Sequence, residues 1–188
     1  MTPTAPSATC SPPPRTKETA RAHDRFPGEI AVQHNENGER VLRFTCHFRH
    51  SAGRVWQALT DDGQLAIWYP TKVHIQPVTG GTITFAFPGG DPFPGDVLEA
   101  QPPHLLVFTT LDDVLRWEIQ ADGAGSTLVL SNTVANPPHT PYTAAGFDIS
   151  LSQLATLLND GPQAVHRTEM PPPDALVDHY ISALHLDL

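Results

Sequence analysis

Between residues 71 and 134 apolar side chains recur at every second position, and one long helical stripe follows at once. A period of two belongs to strands and a period near 3.6 to helices. The alternating stretch breaks into strands at about 71–77, 81–87, 95–100, 105–110, 114–121 and 126–134. The separators are turn chemistry: Gly80-Gly81, Gly89-Gly90, Pro102-Pro103, Asp112-Asp113 and Asp122-Gly123. A spacing of roughly 8–12 residues fits an antiparallel meander. No helical pattern interrupts it, which excludes parallel β-α-β units, since those need a long crossover.

The flanks complete the pattern. Arg40 to Arg49 alternates, with Leu42, Phe44, Cys46 and Phe48 on one face and Arg43, Thr45, His47 and Arg49 on the other. That predicts a half-buried strand. Ser51 offers an N-cap oxygen to a short helix carrying Val55, Trp56 and Leu59 and running to about Thr60. Asp61 or Asp62 caps a second one through Leu65, Ala66, Ile67 and Trp68, which Pro70 stops. Thr140-Pro141 opens the long helix, about 141–159. Phe147, Leu151, Leu154, Ala155 and Leu158 form its continuous stripe, and Asn159-Asp160-Gly161 ends it. Such a helix spans roughly 27 Å, enough to lie across a whole curved sheet. Pro171-Pro172-Pro173 is a stiff spacer, and Asp174 is placed to cap a last helix bearing Val177, Tyr180, Ile181 and Leu184. The fold class is therefore α+β: a curved antiparallel sheet of six to seven strands around a long C-terminal helix, with two short helices after the first strand. The space between sheet and helix is either packed solid or left as a cavity.

Composition narrows the partners. The chain has 188 residues, enough for one domain with a sizeable core. Its 20 prolines fall six in residues 1–28, ten in 70–141 and four in 162–173. Residues 1–28 have almost no large apolar side chain besides Phe26 and read as a disordered tail; 29–161 is the domain, and 162–188 an extension with a short helix. The tail lacks the apolar run of a secretory signal, and nowhere is there an apolar stretch long enough to span a membrane. Lys+Arg is 11 against Asp+Glu 20, a net charge of −9. Arg15, Lys17, Arg21 and Arg25 against Glu18 and Asp24 make the tail +2, which leaves −11 on the rest. Nucleic acid and anionic membrane are excluded as partners of such a domain. Cys10 and Cys46, one in the tail and one in a strand, suit reduced thiols and a cytoplasmic setting.

Several segments together resemble a known family. Val55-Trp56-Gln57-Ala58-Leu59-Thr60 is similar to its first-helix signature, and Ala66-Ile67-Trp68-Tyr69 to the end of its second helix. Gly80-Gly81-Thr82-Ile83-Thr84-Phe85 matches its paired glycines before a strand. Gly95-Asp96-Val97-Leu98-Glu99 with Pro102-Pro103-His104-Leu105-Leu106-Val107-Phe108 matches a hairpin of the group. Gly125 to Leu130 is similar to the last strand, and Ala145-Gly146-Phe147 with Leu151, Leu154 and Leu158 to the final helix. Over about residues 40–185 the chain resembles the helix-grip, Bet v 1/START-like (SRPBCC) superfamily, and within it bacterial proteins similar to the C-terminal domain of the activator of Hsp90 ATPase. Two positions depart from the pattern: Phe147 and Thr110 stand where many relatives carry Trp. The family title suggests a stress-response cochaperone homologue. The eukaryotic cochaperone, however, has a separate Hsp90-binding N-terminal domain, which residues 1–39 are too short and proline-rich to supply, so Hsp90 activation is not carried over.

The resemblance implies a ligand cavity between sheet and helix. Its candidate lining is Trp68, Phe85, Phe87, Leu106, Phe108, Thr110, Trp117, Phe147 and Leu151; the plain alternative is that these residues form a packed core. Arg116 and Glu118 share one strand face and Trp117 takes the other. With Trp117 inward the pair is a surface ion pair; with the pair inward it becomes an acid/base device, and His74 is a third such candidate. Metal binding is not supported. His47 and His50 straddle a strand end, His185 and Asp187 sit at the terminus, and no HxH, HExxH or CxxC spacing occurs. No nucleophile motif is present, since Cys46 lies mid-strand with His47 on the opposite face. Gly89-Gly90-Asp91 lacks the Lys-Ser/Thr of a phosphate loop, and no cofactor is called for.

Three functional readings follow: binding of a small hydrophobic molecule, a cyclase- or hydrolase-type enzyme using Arg116, Glu118 or His74, and a protein-interaction module. The stripe of the last helix either packs back on the domain or forms a homodimer contact. Removing residues 1–28 is expected to leave the melting temperature nearly unchanged; a drop of many degrees would show that the tail belongs to the fold.

Overall fold

A computed structural model of the chain describes residues 28–87, 89–165 and 171–186. The proline-rich segment read as a disordered tail lies outside the described residues, apart from Gly28. In chain order the elements are β1 (Gly28–His34), β2 (Arg40–Phe48), α1 (Ala52–Thr60), α2 (Asp62–Trp68), β3 (Lys72–Ile75), β4 (Thr82–Ala86), β5 (Phe93–Gln101), β6 (Leu105–Thr110), β7 (Asp113–Asp122), β8 (Gly125–Thr133), α3 (Thr140–Asp160) and α4 (Asp174–Ala183). All strands join one antiparallel sheet in the order β1-β2-β8-β7-β6-β5-β4-β3. The two chain-sequential blocks meet where β2 pairs with β8, so the helices α1 and α2 bridge the two halves of the sheet.

The alternation decides which face looks inward. On β2, Leu42, Phe44, Cys46 and Phe48 are buried, and on β7, Leu115, Trp117 and Ile119. These rows form the concave face, against which α1, α2 and α3 pack into one core. Ser51 caps α1 by accepting from the Arg54 amide, and Asp61 caps α2 by accepting from the Gln64 amide. Trp68 closes α2 onto α1, its indole N–H donating to the Ala58 carbonyl at 2.8 Å. Gly161, at φ +85°, ends α3 in a backbone region that side chains disfavour.

The sheet has eight strands, one more than the pattern predicts. The addition is β1, whose Ile30 and Val32 are only half-buried and which pairs on one side alone. An edge strand with so small an apolar load leaves little signal in the sequence. A second difference concerns α4. Pro173, not Asp174, stands at its N-cap, and Asp174 is the first helical residue, where its carboxylate still favours the helix dipole. The α4 stripe packs back onto the domain: Val177 and Tyr180 are buried, and the Tyr180 hydroxyl donates to the buried Asp148 carboxylate of α3 at 2.8 Å. Among the described residues, no helix is long and apolar enough to cross a membrane.

Gly95 marks the tightest crossing in the sheet. A Cβ there would stand 2.1 Å from the Thr109 carbonyl oxygen of β6 and 3.0 Å from the Ile83 Cγ2 of β4. Backbone cannot yield as a side chain does. Gly95→Ala is expected to cost about 2 kcal/mol or more in a denaturant melt; an unchanged midpoint would contradict this packing.

Candidate functional site

α3 behaves differently along its length. Its C-terminal half presses Leu151, Leu154 and Leu158 into the core. Its N-terminal end presents His139, Tyr142, Thr143, Gly146, Phe147 and Ser150, a spacing of one helical face but with smaller or more polar side chains. A cavity of about 590 Å³ opens beneath that end. Phe85, Phe87 and Phe93 of the β4–β5 region form the facing wall, and Tyr69-Pro70-Thr71, which follow α2, form the inner side. Thr110, Leu111, Pro171 and Pro172 complete the rim. Phe87, Leu111 and Tyr142 are 47%, 72% and 51% exposed, so the cavity has an open, apolar mouth.

The position of α3 is fixed by polar contacts just outside the cavity. The Arg40 guanidinium donates to the Pro137 carbonyl at 3.2 Å and to the Thr140 hydroxyl at 3.1 Å. The Asp113 carboxylate accepts from the Ala135 amide at 2.8 Å and from the Asn132 side chain at 3.0 Å. At the β6–β7 turn Leu111 has φ +53°, an uncommon value for a branched residue, and this turn brings its side chain to the mouth.

Among the described residues, no Asp, Glu, Lys or Arg lines the cavity. Its polar groups are hydroxyls and one imidazole. Ser150 donates to the Gly146 carbonyl at 2.8 Å, which leaves its oxygen able to accept. The Thr71 hydroxyl is buried in the wall with no hydrogen-bond partner among the described residues. Burial pushes the Tyr69 phenol above its ordinary range, so it stays a neutral donor. The Cys46 thiol is pushed up to about 12 by burial in β2 and is no nucleophile. Among the described residues, no three His, Cys, Asp or Glu side chains gather as a metal site.

A family model, Activator of Hsp90 ATPase homolog 1-like protein, matches residues 49–159. The chain belongs to this family. The match begins just before α1 and ends with α3, so it takes in most of the cavity wall. No curated protein matches the sequence. Several solved structures share the fold. CalU16 from Micromonospora echinospora superposes with a TM-score of 0.63 at 18% identity, over 85% of this chain and 96% of that one. EF2215 from Enterococcus faecalis gives a TM-score of 0.69 at 17% identity, over 85% and 92%. DynU16, a protein of the dynemicin biosynthetic locus, gives 0.57 at 20% identity, over 67% of this chain and 49% of that one. At these identities the likeness is one of fold, the SRPBCC helix-grip architecture.

Within this family fold, the residues singled out in the sequence separate into two groups. Phe85, Phe87, Thr110 and Phe147 line the cavity. Trp68, Leu106, Phe108, Trp117 and Leu151 do not: each is at most 3% exposed and fills the interior behind it. Phe108 and Trp117 border a residual void of about 10 Å³, too small for a ligand. Alternation identifies inward positions, but not how far the opposing helix stands from them. The lining residues outside the sequence candidates come mainly from segment ends and from α3, among them Tyr69, Phe93, Leu111, His139, Tyr142 and Thr143. Tyr142 and Thr143 continue the Phe147 stripe one turn toward the N-terminus, and that was the one available signal.

The three acid/base candidates stand on the outer face. Trp117 points inward, so Arg116 and Glu118 point out, with Arg116 3.2 Å from Glu118 and 3.8 Å from Glu99 across the Val107 row. His74, on edge strand β3, pairs with Asp62 and is 65% exposed. None of the three reaches the cavity. A screened pair of this kind is worth little. Glu118→Gln is expected to shift stability by less than about 1 kcal/mol in a denaturant melt; a larger loss would show that the outer cluster holds the sheet together.

Proposed function

We propose that this protein binds a small hydrophobic ligand in the cavity between the β4–β5 wall and the N-terminal end of α3, without catalysing a reaction. The observation that carries this reading is the contrast between a tightly filled core and a cavity of about 590 Å³ directly beside it. Pockets of ligand-binding proteins measure roughly 300–1,000 Å³ and are mainly apolar with a few polar groups. This one is apolar at the walls and hydroxyl-bearing at intervals.

The catalytic alternative loses its residues, because Arg116, Glu118 and His74 stand outside. Among the described residues, His139 is the one imidazole of the wall, and no carboxylate lines the cavity beside it. The interaction-module alternative needs an exposed apolar patch; of the exposed large apolar residues among those described, Phe87, Leu111 and Tyr142 belong to the cavity mouth, and only Val78 and Leu98 stand outside it. Placement among reactions of a biosynthetic locus, as for DynU16, is compatible with a carrier or holder of a small apolar compound. The reading sets the protein in the cytoplasm, where the free Cys46 thiol stays reduced.

Thr110 supplies the test. It lines the cavity at the end of β6, and a bulky ring there would occupy the ligand's space. A thermal-shift screen of hydrophobic metabolites is expected to stabilise the wild type, by about 2.7 kcal/mol at 100 times the dissociation constant. Thr110→Trp should keep its fold and lose that stabilisation. If no compound shifts the wild type, or if the variant responds equally, the binding reading fails.

A further inference from the structure

The sheet has two edges, and the molecule treats them differently. β3 is guarded. It has four residues, opens on Lys72 and lies against α2, whose Asp62 carboxylate accepts from the Ile75 amide at 3.3 Å and pairs with His74 at 2.5 Å. Short length, charge and a side chain laid on the free amides are the usual protections of an exposed strand. β1 has none of them. It runs seven residues in unbroken register with β2, without proline or bulge, and Glu29 is its one residue charged at neutral pH. Among the described residues nothing pairs with its outer side.

The register with β2 shows which groups are left open. The Asn35 amide donates to the Glu39 carbonyl at 3.0 Å at the turn, and on the far side of β2 the Val134 amide donates to the Arg40 carbonyl at 2.9 Å. Ladder bonds alternate along antiparallel strands, so Gln33, Ala31 and Glu29 bond β2, while Gly28, Ile30, Val32 and His34 turn their amides and carbonyls outward. A second copy fits that set. With Ala31 on a two-fold axis, Ile30 of one copy faces Val32 of the other, and Gly28 faces His34. Each outward residue then meets an outward residue. Ala31 faces its own counterpart at a non-hydrogen-bonded position, where Cα atoms come within about 4.5 Å and a small side chain fits. Glu29 faces Gln33, a carboxylate against an amide, and no like charges meet. Ile30 and Val32, half-buried on the concave side, gain an apolar neighbour across the join.

We propose that the chain forms a two-fold dimer by antiparallel β1–β1 pairing centred on Ala31, which joins the two eight-stranded sheets edge to edge. One strand edge is a small interface, so the dimer is concentration-dependent. Sedimentation velocity of the full chain over a concentration series is expected to show the mass rising from 20.4 kDa toward twice that value. The Ala31 side chain is exposed, so Ala31→Lys should leave the melt of the dilute monomer nearly unchanged. By setting two like charges face to face it should weaken the dimer by about fivefold or more. The register has its own readout. In a Cys10→Ser background, Ala31→Cys should give a disulfide-linked dimer under oxidised glutathione, because disulfides bridge Cα atoms roughly 4.4–6.8 Å apart. Cys46 is buried and does not compete. Glu29→Cys should stay unlinked, since each such position faces Gln33 and lies about 13 Å along the strand from its counterpart. A wild type that stays monomeric at every concentration overturns the proposal. So does a dimer that Ala31→Lys leaves intact, which puts the contact on another surface, and so does equal cross-linking at Glu29→Cys, which contradicts the register. Association that appears only once residues 1–27 are removed would show that the preceding segment holds the edge, and overturns it as well.

Discussion

The structure depends on covering one face of a strongly curved sheet. Of the eight antiparallel strands, the central four, β2, β8, β7 and β6, turn Leu42, Phe44, Leu106, Phe108, Leu115, Trp117, Leu128 and Leu130 to the concave side. That area must leave water, at roughly 25 cal/mol for each Å² buried. α1 and α2 cover part of it and α3 the rest. Other features answer to this requirement: the caps at Ser51 and Asp61 that start two helices in quick succession, the Trp68 indole tied to α1, and the Arg40 contacts that seat the start of α3.

The cavity arises where that cover thins. Toward its C-terminus α3 offers Leu151, Leu154 and Leu158, which reach the sheet. One and two turns earlier the same face carries Phe147, Gly146 and Thr143, and β4 and the β6–β7 turn lie opposite. Thr143, Gly146 and Ser150 on the helix are small, and set against large rings on the sheet they leave volume between the two. α4 then braces α3 from the other side through the Asp148–Tyr180 hydrogen bond, where burial and the nearby carboxylate both raise the Tyr180 pKa and keep the phenol a donor. A helix held on both flanks does not simply settle into the gap.

Much of this was legible in the residues. Seven of the eight strands stand out by alternation, and both short helices and α3 by their caps and stripes. β1 was not, because an edge strand with two half-buried apolar residues differs little from a loop. The outward direction of Arg116 and Glu118 followed once Trp117 was known to be inside, a choice that parity leaves open and burial settles. The cavity was legible only in part. Phe85, Thr110 and Phe147 lie on inward rows, but so do Leu106, Phe108 and Leu151, and what separates the two groups is the distance to the opposing element. Residues such as Tyr69 and Phe93 reach the cavity through the path of segment ends, which periodicity does not record.

The central claim is that a ligand enters between the ring-bearing β4–β5 wall and the N-terminal end of α3. Amide chemical-shift mapping of the full chain with 2-naphthol tests it directly. The account predicts shifts gathered at Phe85, Phe93, Thr110, Thr143 and Phe147, with Arg116, Glu118 and His74 on the outer face unmoved. Shifts confined to that outer face, or none at saturating probe, would contradict it.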